Sequence, residues 1–126
     1  MVNGYVFTRA RNVTDRNKRE FTIMLHDTKH DLSQDSQDLL NAADYIDQNG
    51  WCQFATKRLN GEVCLWGSLI AVTDGFDHCN PHRANHLYTI THEYLRQSPS
   101  GWNDSISRTK AEVTAFLREV AWKLKE

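Results

Sequence analysis

The chain reads as a mostly α (α+β) domain, a small bundle of about four helices with an N-terminal strand pair. Three observations predict this. Val113, Phe116, Leu117, Val120, Ala121 and Leu124 recur every three or four residues, the period of a helix buried on one side. Leu39, Leu40, Ala43 and Ile46 repeat that spacing behind an acidic start. Ahead of both, Tyr5-Val6-Phe7-Thr8 and Phe21-Thr22-Ile23-Met24-Leu25 concentrate the β-branched and aromatic residues that favour strands.

The two N-terminal runs, with the polar segment Arg9 to Glu20 between them, fit a long-looped hairpin. A helix is expected from about Ser33 to Gln48. Asp31 or Ser33 can cap it, Asp35 and Asp38 suit the positive end of its dipole, and Gly50 can end it. Asn60-Gly61 is a type I′ turn signal, so Phe54–Leu59 and Glu62–Leu65 can pair as a hairpin. Val63 to Thr73 is apolar nearly all round, with small Gly67, Ser68 and Ala71, and favours a buried helix. Pro81 opens the next helix, which runs to about Gln97, and Ser98-Pro99-Ser100-Gly101 breaks it. Thr109-Lys110-Ala111-Glu112 is a capping box for the last helix.

A chain of 126 residues is the size of one ordinary domain, so residues 1–126 are expected to form a single globular domain, with a strand-pair region (1–30) and a helical region (31–126). The longest strongly apolar stretch, Leu65 to Thr73, is too short to span a bilayer, and no signal peptide is visible. A cytoplasmic location without membrane attachment is the expectation. Three cysteines, an odd number without a CxxC pair, argue against a secreted disulfide framework. Net charge is −1, which argues against a global nucleic-acid-binding field. Charge is uneven, however: residues 1–30 hold six Lys/Arg against three Asp/Glu, and residues 31–50 hold five Asp with no Lys or Arg.

Gly50-Trp51-Cys52-Gln53, Val63-Cys64-Leu65-Trp66-Gly67-Ser68-Leu69, and Trp102-Asn103-Asp104 followed by Arg108-Thr109 and Glu112-Val113 carry a resemblance. Together they resemble an uncharacterised family of small bacterial and phage proteins, a domain of unknown function. Its pattern is a helix ending in Gly-Trp-x-Gln, a Cys-Leu-x-Gly-Ala helix, and a Trp-Asn-Asp loop leading through Arg-Thr into the final helix. The likeness covers roughly residues 35 to 122. The chain departs from it by Ser68 in place of alanine and by a short linker between Leu59 and Val63. The resemblance implies a small helical domain and no established activity.

Four patterns carry possible chemistry. Cys64 at a helix start, followed by His78, His82, His86 and His92 and then Asn103, has the chain order of a papain-like thiol hydrolase, with Gln53 as an oxyanion donor. Against that, free cysteines are most often small buried hydrophobes. His82 and His86 share a helix face behind His78 and Cys79, a spacing compatible with zinc, but no HExxH glutamate follows His82. Arg9, Arg11, Arg16, Lys18 and Arg19, with Tyr5 and Phe7, can track phosphates, although the acidic helix that follows can neutralise them. Trp102-Asn103-Asp104 fits either a recognition loop or a turn that closes the core.

No cofactor fingerprint or complete catalytic set is present, so no cofactor or resident metal is expected. The leading expectation is a non-enzymatic module that binds a protein, with a homo-oligomer possible and nucleic acid disfavoured. The basic segment Arg9–Arg19, the acidic helix and Trp102, Asn103 and Asp104 are its expected contact surfaces.

Overall fold

A computed structural model describes residues 32–125 as five helices: α1 (Leu32–Asn49), α2 (Leu65–Val72), α3 (His82–Leu95), α4 (Pro99–Asn103) and α5 (Lys110–Lys125). The expected strand pair at Tyr5–Thr8 and Phe21–Leu25 lies outside the described residues, as do Arg9, Arg11, Arg16, Lys18 and Arg19.

The first and last helices form the backbone of the core. Leu39, Ala42, Ala43 and Ile46 of α1 and Val113, Leu117, Val120 and Ala121 of α5 are all buried. Their three-and-four spacing gives each helix one apolar side, and the two sides meet. Small Ala42, Ala43 and Ala121 let the axes approach. The Ser36 hydroxyl donates to the Ala121 carbonyl across 2.7 Å, so a buried polar group on α1 is satisfied by α5. At the solvent edge Arg118 spans Asp44 and Asp47 at 2.9 and 2.7 Å.

Gly50 ends α1 with φ +100°, a left-handed conformation that favours glycine, and its amide donates back to the Ile46 carbonyl. The chain then makes a small irregular pleat centred on buried Val63, which bridges Trp51 in parallel and Lys57 antiparallel. The turn at Asn60-Gly61 has glycine at φ +97°, and the Arg58 amide donates to the Glu62 carbonyl across 2.8 Å. The expected helix forms, whereas the expected pairing of Phe54–Leu59 with Glu62–Leu65 is reduced to a turn closed by the single bridge between Lys57 and Val63, because Leu65 already opens the helix. Helix α2 begins later than the expected Val63 because Cys64 is its N-cap, in extended conformation.

Gly67 shows why α2 can sit so close to this loop. A Cβ there would lie 2.1 Å from the Thr56 carbonyl oxygen, so only hydrogen fits. The neighbouring Ser68 is fully buried, and its hydroxyl donates to the Leu65 carbonyl one turn back. A serine is thereby accommodated at a position that otherwise suits alanine.

Helix α3 starts one residue after Pro81, which has no side-chain cap to offer. Asp74, in the preceding loop, supplies one instead: it accepts the Ala84 amide at 2.8 Å and the Arg83 amide at 3.4 Å. Burial pushes the Asp74 carboxyl up, but these amides and the Thr73 hydroxyl outweigh it and hold the group below its ordinary value. Arg96, at φ +61°, closes α3 short of the expected Gln97.

The break at Ser98 is real but short. Ser98 caps a new helical turn, with Pro99 at its first position, so Trp102 and Asn103 belong to α4 rather than to an open loop. The capping box of α5 forms as expected: the Glu112 carboxylate accepts the Thr109 amide at 3.0 Å, and the Thr109 hydroxyl accepts the Glu112 amide at 3.2 Å.

Candidate functional site

The motif residues converge on Asn103, which is fully buried. Its Oδ1 accepts the Trp51 indole N–H at 2.7 Å and the Leu65 amide at 3.1 Å. Its Nδ2 donates to the Cys52 carbonyl at 3.2 Å and to Asp104 Oδ1 at 2.9 Å. Every hydrogen-bonding position of the amide is thus filled. One side chain from α4 joins the end of the α1 loop to the first turn of α2.

A second layer surrounds it. Gln53 Nε2 donates to the Asn103 and Ser105 carbonyls at 3.0 and 2.8 Å, and Asp104 Oδ1 accepts the Phe54 amide at 3.0 Å. The Arg108 guanidinium lies 4.1 Å over the Trp102 ring and donates to the Trp102 carbonyl at 2.9 Å, while Phe116 packs on the same indole. Gln53, Asn103 and Asp104 therefore hold loops together. Asn103 is not a contact residue for a partner, because no part of it reaches solvent.

This arrangement also engages Cys64, His86, Asn103 and Gln53 of the thiol-hydrolase set with other partners. Cys64 is 7% exposed, and its Sγ accepts the Gly67 amide as a helix cap. Burial raises its thiol above the ordinary range, against the opposing pull of the Gly67 and Trp66 amides. Asn103 has no bond left with which to orient an imidazole. His86 Nε2 lies 2.8 Å from Asp35 Oδ2. Gln53, read as an oxyanion donor, spends its amide on two backbone carbonyls.

His86 belongs to a cluster that the sequence did not single out. Asp35 of α1 is fully buried, and Arg83 of α3 reaches it and Asp38 with the same nitrogen, both at 2.6 Å. The acidic face of α1 divides: Asp35 and Asp38 are buried against Arg83, whereas Asp44 and Asp47 stay exposed while pairing with Arg118 at the surface. Among the described residues, no group of three or more His, Cys, Asp or Glu side chains is placed to hold a metal ion, His78, Cys79, His82 and His86 included.

Among the described residues, Phe54, Leu59, Ile106 and Trp122 are large apolar side chains that are mostly exposed. Phe54 is 74% accessible and stands at φ +65°, a conformation that L residues with a bulky side chain rarely adopt. Ile106 is 99% accessible and follows the Ser105 carbonyl that Gln53 grips, so the two residues sit on abutting loops. Leu59 projects from the hairpin tip, beside a shallow depression lined by Ala55, Lys57, Arg58 and Asn60. The Arg58 guanidinium donates to the Gln53 carbonyl at 2.8 Å and ties that tip back to the same loop.

The structure thus defines a compact helical domain whose loops are locked by a buried amide and carry apolar side chains outward. The chain belongs to a family of unknown function, DUF6197, whose model matches residues 31–122. The match bears out the expected domain of unknown function; in the structure the Gly-Trp, Cys-Leu and Trp-Asn-Asp segments meet at Asn103. Neither a curated protein nor a solved structure matches the chain. Among the described residues, no helix is long and apolar enough to cross a membrane.

Proposed function

We propose that the chain is a non-enzymatic module that binds a protein partner, and that Phe54, Ile106 and Leu59 form the contact surface. The observation that carries this reading is Phe54. A left-handed aromatic residue costs on the order of 1–2 kcal/mol, and this one recovers little by burial. The surrounding bonds from Asp104 and Gln53 hold the loop in place regardless, which is how strain is kept where a side chain must point outward. Aromatic anchors on a rigid support are the usual centres of protein interfaces. Lys57 and Arg58 flank Leu59 and favour a partner with carboxylates beside its apolar residues.

The test is recovery of bound proteins from the source cells on a tagged chain, compared with the double variant Phe54→Ser, Ile106→Ser. Both substitutions fall on exposed side chains and leave the melting temperature in place. Partners held by the parent and lost by the variant support the reading. A variant that keeps every partner removes this surface as the contact.

A further inference from the structure

Cys52 and Cys64 occupy neighbouring positions in the pleat. The parallel bridge pairs Trp51 with Val63: the Val63 amide donates to the Gly50 carbonyl at 3.1 Å and the Cys52 amide to the Val63 carbonyl at 3.0 Å. One step along lie Cys52 and Cys64: the Cys52 amide bonds the carbonyl that immediately precedes Cys64, Cys52 Sγ donates to the Ala55 carbonyl at 3.4 Å, and Cys64 Sγ accepts the Gly67 amide at 3.4 Å. Cys64 remains extended at φ −87°, ψ −177° before α2 begins. At the next rung the Asn103 amide replaces a direct bond, donating to the Cys52 carbonyl and accepting the Leu65 amide, so it joins the two segments just beyond the cysteines. Bridged residues stand about 4.8 Å apart, and the Cys52 amide bond to the Val63 carbonyl keeps the next two residues near the roughly 4.4–6.8 Å that a disulfide spans between Cα atoms.

We infer that Cys52 and Cys64 are a paired dithiol that closes to an intramolecular disulfide on exposure to a two-electron oxidant such as hydrogen peroxide. Two S–H bonds break, one Sγ–Sγ bond forms, and the peroxide is reduced to two waters. The chemistry of the site is asymmetric. Arg58 lies beside Cys52 and favours its thiolate, although burial dominates and leaves that thiol raised. Cys64 faces the amides of the first turn of α2 and serves as the second sulfur. Because burial raises both groups, closure is slow at neutral pH and quickens as pH rises through the thiol range. The new bond stitches the start of the pleat to the start of α2, a closure that needs no movement of Asn103.

The exposed third cysteine is removed first, as Cys79→Ser, leaving Cys52 and Cys64. The folded variant is incubated with hydrogen peroxide at about pH 8.5, near the ordinary thiol pKa, then acid-quenched, denatured and treated with N-ethylmaleimide. Alkylated thiols per chain fall from two to none, the chain stays monomeric without reductant, its helical circular dichroism is retained, and a phosphine reductant restores two. The further substitution Cys52→Ser leaves Cys64 unable to form that species. Two alkylated thiols after prolonged oxidation, oxygen adducts on separate cysteines, or linked dimers would each overturn the assignment.

Discussion

The Trp51 indole and the Leu65 amide share one acceptor, the buried Oδ1 of Asn103, at 2.7 and 3.1 Å. Two segments separated by α1's loop are held by an atom that belongs to neither. The surrounding motif residues are arranged to keep that oxygen dry and correctly turned.

Asn103→Ala should therefore be among the most damaging single changes. It strands the Trp51 indole, the Leu65 amide and the Cys52 carbonyl, each costing about 1–3 kcal/mol when unsatisfied, for a loss of about 3–5 kcal/mol after relaxation. Urea denaturation checks this. Asn103→Asp keeps the acceptor but sets a second carboxylate against Asp104, and it should not restore parent stability.

Gly67→Ala tests the close approach of the pleat. The added methyl meets the Thr56 carbonyl at 2.1 Å, and that carbonyl also accepts the Cys64 amide. The backbone must part, with an expected cost of about 3 kcal/mol, read from the denaturation midpoint. A midpoint within experimental error of the parent would show that the approach is not rigid.

Asp35→Ala breaks the charge cluster between α1 and α3. Arg83 and His86 lose their buried partner, and a broken buried pair costs about 3–5 kcal/mol. Because the Arg83 side chain remains 31% exposed, the lower end is expected. Thr109→Ala, which removes half of the α5 capping box, should cost only about 1 kcal/mol.

Asp74 gives an acid-dependent signature. Its folded pKa is lowered, so its stabilisation is complete above the unfolded carboxylate value, about 3.9, and is lost as pH falls through the lower folded value. Asp74→Ala should melt below the parent at neutral pH by the equivalent of about 1 kcal/mol. The gap should shrink as pH drops beneath the ordinary carboxylate range. A gap that widens on acidification would contradict the capping role.

Phe54→Gly separates stability from binding. Glycine tolerates φ +65° but gives up about 0.5–1 kcal/mol of backbone entropy against the 1–2 kcal/mol of relieved strain. The variant should melt at or slightly above the parent while losing the proposed partner contact. A clear drop in melting temperature would mean that the exposed ring stabilises the fold.

The helices were legible where a local period governs them. The stripe from Val113 to Ala121 and the Thr109–Glu112 box lie within a few residues of their partners, so spacing alone places them. Asp35 lies 48 residues from Arg83 and 51 from His86, and no period joins polar side chains that meet only in three dimensions. Asn103 stands in a triplet that reads either as a recognition loop or as a turn that closes the core, and local sequence does not choose between them. Three of the four bonds that fill its amide come from other segments, and the fourth from its neighbour Asp104. The partners of the acidic run of α1, Arg83 and Arg118, are equally remote, on helices much later in the chain. Phe54 carried no sequence signal at all, since an exposed aromatic and a core aromatic share one letter.

The single oxygen shared by Trp51 and Leu65 has a kinetic consequence. A loop secured by its own local turns can open and close many times while the rest of the domain stays folded, and its amides trade protons with water at each opening. Leu65 has no such private route, because its N–H is released only when α4 withdraws. In deuterated water the Leu65 amide should exchange at the pace of whole-domain unfolding, together with the core amides of α5. The Gly61 amide, bonded only within its turn to Arg58, should exchange far sooner. Pleat and bundle then behave as one cooperative unit with a restless tip.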